Sequence, residues 1–385
     1  MRIVLGTSTL AGYPQGGGHW SVRLQYLRGL CSLGHSPFLI DCYTRTASPA
    51  ADRRRFDVFF ARMRNWGFGE ACCIVVFRKD ETTLSIESCE VIGIAKERLR
   101  SVIWGADLLL NLHGSLPPAL TPGFKRRALL DLDPGHLQIG ALSWEFGLHD
   151  HEVFFSVGTK MADDDCEAPR LGHHWHPFVP PIHLPSWRVA PLPEPEAPIT
   201  SVTQWSWGSQ LRFGNRALNS SKRSAYLRFL DLPAQCAAPL TLAANLDPRD
   251  TTGDREMLLR HGWNLVHPHH CMRTVEAYQR FIHGSKAEIG CAKNVFIELK
   301  TGWFSDRSAA YLASGRPVIA EDTGFSDHLP TGLGLLSFTT IDEAAAAVDD
   351  LLTNYPQHQK AARELAESYF DASRVLPNLI ELCSS

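Results

Sequence analysis

The sequence predicts an α/β protein made of two Rossmann-like domains that face a central cleft. Three observations carry this expectation. The chain opens with an apolar strand, a glycine-rich loop, a helix and a second apolar strand, which is the order of a βαβ unit. Short runs such as CIVVF at 73–77 and LLLNL at 108–112 are apolar almost throughout, as strands covered on both faces of a parallel sheet are. After a proline-dense break between residues 166 and 198, the alternation of strands and helices starts again.

The first strand covers residues 2–5 and is followed by a loop over 6–18 rich in Gly, Ser and Thr. Val22, Leu24, Tyr26, Leu27 and Leu30 then recur close to helical spacing over 19–33, and Gly34-His35 stops that helix before a strand at 37–42. The loop has neither a strict GxGxxG nor a GxxxxGK[ST], so a dinucleotide oxidoreductase and a P-loop NTPase both lose support. Helices at 56–66 and 92–100 and strands at 73–77, 108–112, 126–132 and 152–157 complete a first domain over 1–185. A proline-rich linker spans 186–199.

The second domain, 200–355, reads as strands at 201–207, 239–243, 263–266 and 287–290, with helices at 220–230, 255–261 and 274–282. Its most informative stretch is 302–330. Ser305, Asp306 and Ser308 are each able to cap a short helix over 307–314, which closes at Gly315. An apolar strand at 318–320 then ends in Glu321-Asp322-Thr323-Gly324, where open α/β sheets place ligands. An acidic, alanine-rich helix follows at 341–352, and 356–385 forms one or two closing helices.

At 385 residues the chain is long enough for two cores, and 44% hydrophobic with 21% charged residues describes a globular protein. No apolar run is long enough to span a bilayer, and residues 1–6 are too brief an apolar block for a signal peptide. A net charge of −3 gives no bulk attraction to nucleic acid, and Arg53-Arg54-Arg55 reads as a solvated helix face. Ten cysteines without Cys-x-x-Cys spacing suggest reduced, scattered thiols, hence a cytoplasmic protein.

Ala313-Ser314-Gly315-Arg316-Pro317-Val318-Ile319, then Asp322-Thr323-Gly324-Phe325, then Gly332-Leu333-Gly334-Leu335-Leu336, resemble the donor-binding half of nucleotide-sugar glycosyltransferases of the GT-B fold, in the glycosyltransferase 1/4-like superfamily. The resemblance implies sugar transfer from a nucleotide diphosphate sugar to an acceptor held by the first domain, with no cofactor beyond the donor itself and no metal. It also implies that the last helix packs back on the N-terminal domain. Many retaining members carry two glutamates where Gly302 and Ala310 stand here, so the paired-glutamate donor clamp is missing and inversion or retention stays open.

His19, at a helix start behind Gly16, Gly17 and Gly18, is the leading candidate for a base that deprotonates an acceptor hydroxyl; the glycines admit close backbone approach to a substrate. His113 and Asp133 follow the strands at 108–112 and 126–132 and converge on the same edge. Donor candidates are Ser305, Asp306, Arg307 and Ser308, with Arg212, Arg216 and Lys222 offering positive charge to the diphosphate. Glu321, Asp322, Thr323 and Gly324 are candidates for sugar hydroxyls, and Trp205 and Trp207 for a stacking platform. His173-His174-Trp175-His176 and His267-Pro268-His269-His270 raise a zinc hypothesis, but adjacent histidines on an extended segment point to opposite faces. The expected acceptor is a soluble small molecule such as a natural-product intermediate, because no basic amphipathic helix for a membrane surface is present. A nucleotide-sugar epimerase on the same fold and a non-catalytic nucleotide-sugar-binding protein are the alternatives. The sequence leaves the oligomeric state undetermined.

Overall fold

The computed structural model describes residues 1–78, 85–206, 210–246 and 252–384. The N-terminal half contains β1 (Arg2–Thr7), α1 (Gly17–Ser32), β2 (Ser36–Thr44), α2 (Pro49–Asn65), β3 (Cys72–Phe77), β4 (Glu90–Ile92), α3 (Lys96–Gly105) and β5 (Leu108–Leu112). It continues with β6 (Arg127–Asp131), α4 (His136–Gly140), β7 (Val153–Ser156) and β8 (Trp175–Pro177). These strands form an eight-stranded sheet in the order β4-β3-β2-β1-β5-β6-β7-β8, parallel except where β4 runs against β3.

The C-terminal half contains β9 (Ile199–Thr203), the antiparallel hairpin β10 (Gln210–Phe213) and β11 (Arg216–Asn219), α5 (Lys222–Arg228), β12 (Leu240–Ala244), α6 (Asp254–Arg260) and β13 (Asn264–Val266). Next come α7 (Pro268–Cys271), α8 (Val275–Gly284), β14 (Ala287–Gly290), α9 (Asn294–Glu298), α10 (Asp306–Ala313), β15 (Val318–Glu321) and β16 (Leu335–Phe338). The closing helices are α11 (Ile341–Thr353), α12 (Tyr355–Leu365) and α13 (Ala372–Ser384). The second sheet is six-stranded and parallel, in the order β13-β12-β9-β14-β15-β16. Each sheet therefore grows outward in both directions from its first strand. In such a sheet, loops on either side of the reversal point diverge and leave a crevice at the strands' carboxyl ends.

The physical causes are local. Every residue of β3, β5, β12, β14 and β15 is buried, so these apolar runs require cover on both faces. Helix α11 starts with a capping box, in which Thr340 accepts from the Glu343 amide and Glu343 reaches back to the amide of Thr340. Helix α13 packs on α1: Ala372, Leu376, Leu379, Ile380 and Cys383 share one core with Trp20, Leu24 and Leu27. Gly29 permits that approach, since a Cβ there would stand 2.7 Å from Leu376 and 2.8 Å from Ala372. Among the described residues, no helix is long and apolar enough to cross a membrane.

Several elements differ from the sequence reading: α2 starts at Pro49 rather than at 56, and the short helices α4, α7 and α9 have no counterpart in it. The helix expected over 92–100 is displaced to Lys96–Gly105, because Glu90–Ile92 pairs with β3 as an edge strand. Strand β8 lies inside the proline-rich tract, held by the register Phe154↔Trp175. The β10–β11 hairpin turns at Gly214 with φ +58°; the polar–apolar alternation Gln210-Leu211-Arg212-Phe213 buries only Leu211 fully and is about the shortest run that signals a strand. The strand expected over 201–207 ends at Thr203, and Trp207 lies outside the described residues.

The halves meet closely at Gly17. Its amide donates to the Met272 carbonyl at 2.9 Å, and a Cβ there would stand 2.3 Å from the Thr274 carbonyl oxygen and 2.6 Å from that of Met272. A Gly17→Ala variant is expected to lose about 1–3 kcal/mol of stability through this overpacking, read as a lowered melting temperature.

Candidate active site

The carboxyl edges of the two sheets face each other across a cleft of about 390 Å³. One wall comes from the N-terminal half: Ser8 and Thr9 after β1, His19 and Arg23 on α1, His113 and Ser115 after β5, and Asp133 after β6. The opposite wall carries Tyr278, Lys293, Trp303, Phe304 and Asp306. The cleft is closed along one side by a short antiparallel join. Gly158 bridges Trp303, the Thr159 amide donates to the Gly302 carbonyl at 3.1 Å, and the Lys160 amide donates to that of Thr301 at 3.2 Å.

His113 and Asp133 meet in this cleft, as their positions at strand ends imply. His113 adopts φ +55°, a sparsely populated conformation for a residue with a Cβ. That backbone turn sets its Nδ1 3.7 Å from Oδ1 of Asp131, and this nitrogen is buried without a hydrogen-bond partner. Asp131 is itself fully buried and held by Gln138, Ser156 and the Asp133 amide. An imidazole this close to a buried carboxylate can act as a base whose ring the carboxylate orients. Asp133 reaches across the cleft, where both of its oxygens accept from Lys293 Nζ, at 2.7 and 3.0 Å. Burial alone would raise the Asp133 carboxyl, but the Lys293 ammonium beside it holds it below the usual carboxylate range.

His19 also lines the cleft, tilted against Tyr13 with ring centroids 5.7 Å apart. Enclosure between the two walls, and then the Arg23 guanidinium, hold its imidazole down at about 4, against the pull of Asp306. Solvent still reaches the ring, and with or without that screening the imidazole is neutral at pH 7. Such weak basicity makes it a poorer acceptor for a hydroxyl proton than an unperturbed histidine. Of the three glycines before it, Gly16 caps α1, Gly17 abuts the 272–274 backbone and Gly18 lies under Tyr278, so this loop serves contact between the halves. Arg23 was not singled out from the sequence.

On the second wall, Ser305 caps α10, its Oγ accepting from the Arg307 amide at 3.2 Å. Asp306 is exposed to the cleft, and Ser308 is buried behind it. Arg307 turns inward: its guanidinium pairs with the fully buried Glu288 and donates to the Val202 carbonyl at 2.6 Å. Lys222 is buried, with its Nζ over the Trp303 ring at 4.9 Å from the centroid. Burial and then the neighbouring cations Arg307 and Lys293 lower its ammonium to about 7. Arg212 is exposed on β10, away from any of these side-chain partners. Arg216 instead bonds Glu167 and Glu298 and ties the hairpin across the halves.

The 321–324 turn is built mainly as structure. Glu321 is buried, accepting from Arg228 at 2.6 Å and from the Ala292 amide at 2.8 Å. Asp322 accepts from the Gly324 amide and Ser326 hydroxyl, and Thr323 Oγ1 donates to the Trp303 carbonyl at 2.8 Å. Gly324, at φ +96°, leaves room for Lys160, which a Cβ would meet at 2.6 Å. Trp205 is a core residue, 2% exposed, its Nε1 donating to Asp254 at 2.9 Å. His173 stacks on Phe154 and His267 on His269. Among the described residues, no group of three or more His, Cys, Asp or Glu is placed to hold a metal ion.

Two Rossmann-like halves with apposed carboxyl edges and a C-terminal helix returned to the first half define the GT-B fold. At the sequence level no family model and no curated protein matches the chain. Its structure is similar to that of an alpha-glucosyltransferase in complex with UDP and a 13-mer DNA containing a central A:G mismatch, with TM-score 0.62, 10% identity and both chains covered completely. It is also similar to Anabaena Alr3699/HepE in complex with UDP and glucose, with TM-score 0.61, 12% identity and 100% and 99% of the two chains covered. AviGT4, a glycosyltransferase involved in avilamycin A biosynthesis, gives TM-score 0.56 at 14% identity, covering 100% of this chain and 97% of its own.

The Asp133–Lys293 pair crosses the cleft and is expected to couple the halves. Because the folded-state carboxyl titrates below its ordinary value near ~3.9, the contribution is complete above that pH. It is lost as pH falls through the lower folded-state value. A double-mutant cycle of Asp133→Asn and Lys293→Met should give about 0.5–3 kcal/mol of coupling at pH 7 that vanishes in acid, measured by chemical denaturation at both pH values.

Proposed function

We propose that this chain transfers a sugar from a uridine diphosphate sugar to a hydroxyl-bearing small molecule held by the N-terminal wall. The observation that carries this reading is the charge at the carboxyl edge of the second sheet. Lys222, with no carboxylate within ion-pair distance among the described residues, stands there with Lys293, which is bonded to Asp133, near the N-terminus of α10, a setting suited to a diphosphate. The three glycosyltransferases of similar fold support it, two of them in complexes that contain UDP.

In the proposed reaction the acceptor oxygen bonds to the anomeric carbon as the bond from that carbon to the β-phosphate oxygen breaks. The electron pair leaves with the diphosphate, whose developing charge Lys222 and the N-terminus of α10 stabilise. The acceptor proton passes to His113, oriented by Asp131. Asp306, exposed at the start of α10, is placed for sugar hydroxyls. Protein cations thus fill the role that a divalent metal fills in other nucleotide-sugar enzymes.

Calorimetric titration with UDP-glucose tests the donor site, and no binding by the wild-type protein at millimolar ligand would sink this reading. Lys222→Met is expected to weaken binding at least tenfold. Since the Lys222 ammonium titrates at about 7 in the free protein, an approaching diphosphate raises it. Binding at pH 8 should therefore take up a proton, seen as a buffer-dependent heat, and affinity should fall from pH 6 to pH 9. His113→Ala is expected to slow UDP release from UDP-glucose by about 10²–10⁴-fold, the usual worth of a positioned base, with little change in donor affinity.

A further inference from the structure

Arg23 has no role in the donor chemistry, yet it is the most unusual charge in the cleft. Its side chain is 8% exposed and lines the cleft from α1. Among the described residues, its side chain makes one hydrogen bond, from Nε to Thr7 Oγ1 at 3.4 Å. Asp41 and Asp306 carry the nearest negative charge, but among the described residues no carboxylate lies within ion-pair distance of the guanidinium. Asp41 is already committed, accepting from the Leu10 amide at 3.2 Å and the Ala11 amide at 2.7 Å. A buried guanidinium whose terminal nitrogens open into a cleft, without a fixed anion, is arranged to receive one from a ligand.

The hydroxyls around it fit the same purpose. Ser8 and Ser115 share a hydrogen bond of 3.0 Å, and Thr9 lies 3.4 Å from Thr7, the hydrogen-bond partner of Arg23, so three hydroxyls line the same wall of the cleft as Arg23. All of these groups belong to the N-terminal half, whereas Lys222 and Lys293 belong to the opposite one. We propose that Arg23, with Ser8, Thr9 and Ser115, recognises a carboxylate or phosphate group on the acceptor, so that the acceptor is an acidic small molecule. The assignment of this anion to the acceptor rests on the transfer reading above.

The test uses the full-length protein and three probes: inorganic phosphate, D-glucuronate and its neutral counterpart D-glucose. Each is titrated calorimetrically, with and without saturating UDP, into wild type, Arg23→Gln and Arg23→Lys. The wild type should bind phosphate and glucuronate saturably and at least tenfold more tightly than glucose. Arg23→Gln should abolish that preference, and Arg23→Lys should restore part of it. Equal binding of glucuronate and glucose by the wild type, or no saturable binding of either anion, overturns the proposal without reference to any variant. A tenfold loss of UDP affinity in Arg23→Gln with the anion preference intact also overturns it, by assigning Arg23 to the donor phosphates. Failure of the wild type to bind UDP at all would fail the transfer reading instead, and the titrations without UDP would still report on Arg23.

Discussion

The cleft depends on one short backbone join, the antiparallel contact of residues 158–160 with 301–303. It requires glycine at Gly158 and Gly302, where a Cβ would stand 2.6 Å from the Thr301 carbonyl and 2.4 Å from Thr159 Oγ1 respectively. The join fixes how far apart the two carboxyl edges sit, and so which side chains can meet across them. Thr323 reinforces it twice, since its carbonyl accepts from the Gly302 amide at 2.9 Å and its hydroxyl donates to the Trp303 carbonyl. Lys160 adds a second tie by bonding both Asp165 and Asp327. The 321–324 turn, whose polar residues look like sugar ligands in the sequence, is thereby a fastening of the two halves. That is why Asp322 and Thr323 satisfy each other's neighbours before any ligand arrives.

The fold was readable because most of its strands are buried on both faces and appear as unbroken apolar runs, which no solvent-exposed element needs. The readable strands include the central ones of both sheets, so the strand order and the crevice follow from connection rules once they are placed. Elements held by pairing rather than by apolar burial escaped notice: β4, β8 and the β10–β11 hairpin carry too few buried residues to leave a periodic trace. Site residues divide in the same way. His113 and Asp133 were visible because the ends of buried strands are where a parallel sheet presents side chains to a ligand. Gly17 was noticed for the wrong partner, since only the folded chain reveals that it faces Met272 and Thr274. Arg23 left no signal at all. It sits between Val22 and Leu24 in a helix with buried residues on most of its sides, polar Ser21 and Gln25 among them, and it is buried by what the rest of the chain lays over α1.

The charges of the cleft divide into those already neutralised and those left open, and the division has a physical logic. Arg307 is held by Glu288, Arg228 by Glu321, Lys160 by Asp165 and Asp327, and Lys293 by Asp133. Each of these pairs fixes a rigid element: Arg307 locks α10 against β14, and Lys293 joins α9 to the end of β6. Of the buried cations with no carboxylate within ion-pair distance among the described residues, Arg316 is satisfied by the Tyr355 hydroxyl and the His283 carbonyl, whereas Lys222, bonded to the Cys291 carbonyl, and Arg23 belong to the two halves that flank the cleft. They stand on opposite walls. A lysine with a lowered pKa and an unpaired arginine are both unfavourable in a closed, empty interior, because burial penalises each charge. On the transfer reading proposed above, an occupant that brings negative charge to both sides would compensate them. A ligand with one anionic group would satisfy one wall and leave the other uncompensated. In the proposed reaction a diphosphate lies against the second sheet and an acidic partner against the first, on whose wall His113 stands.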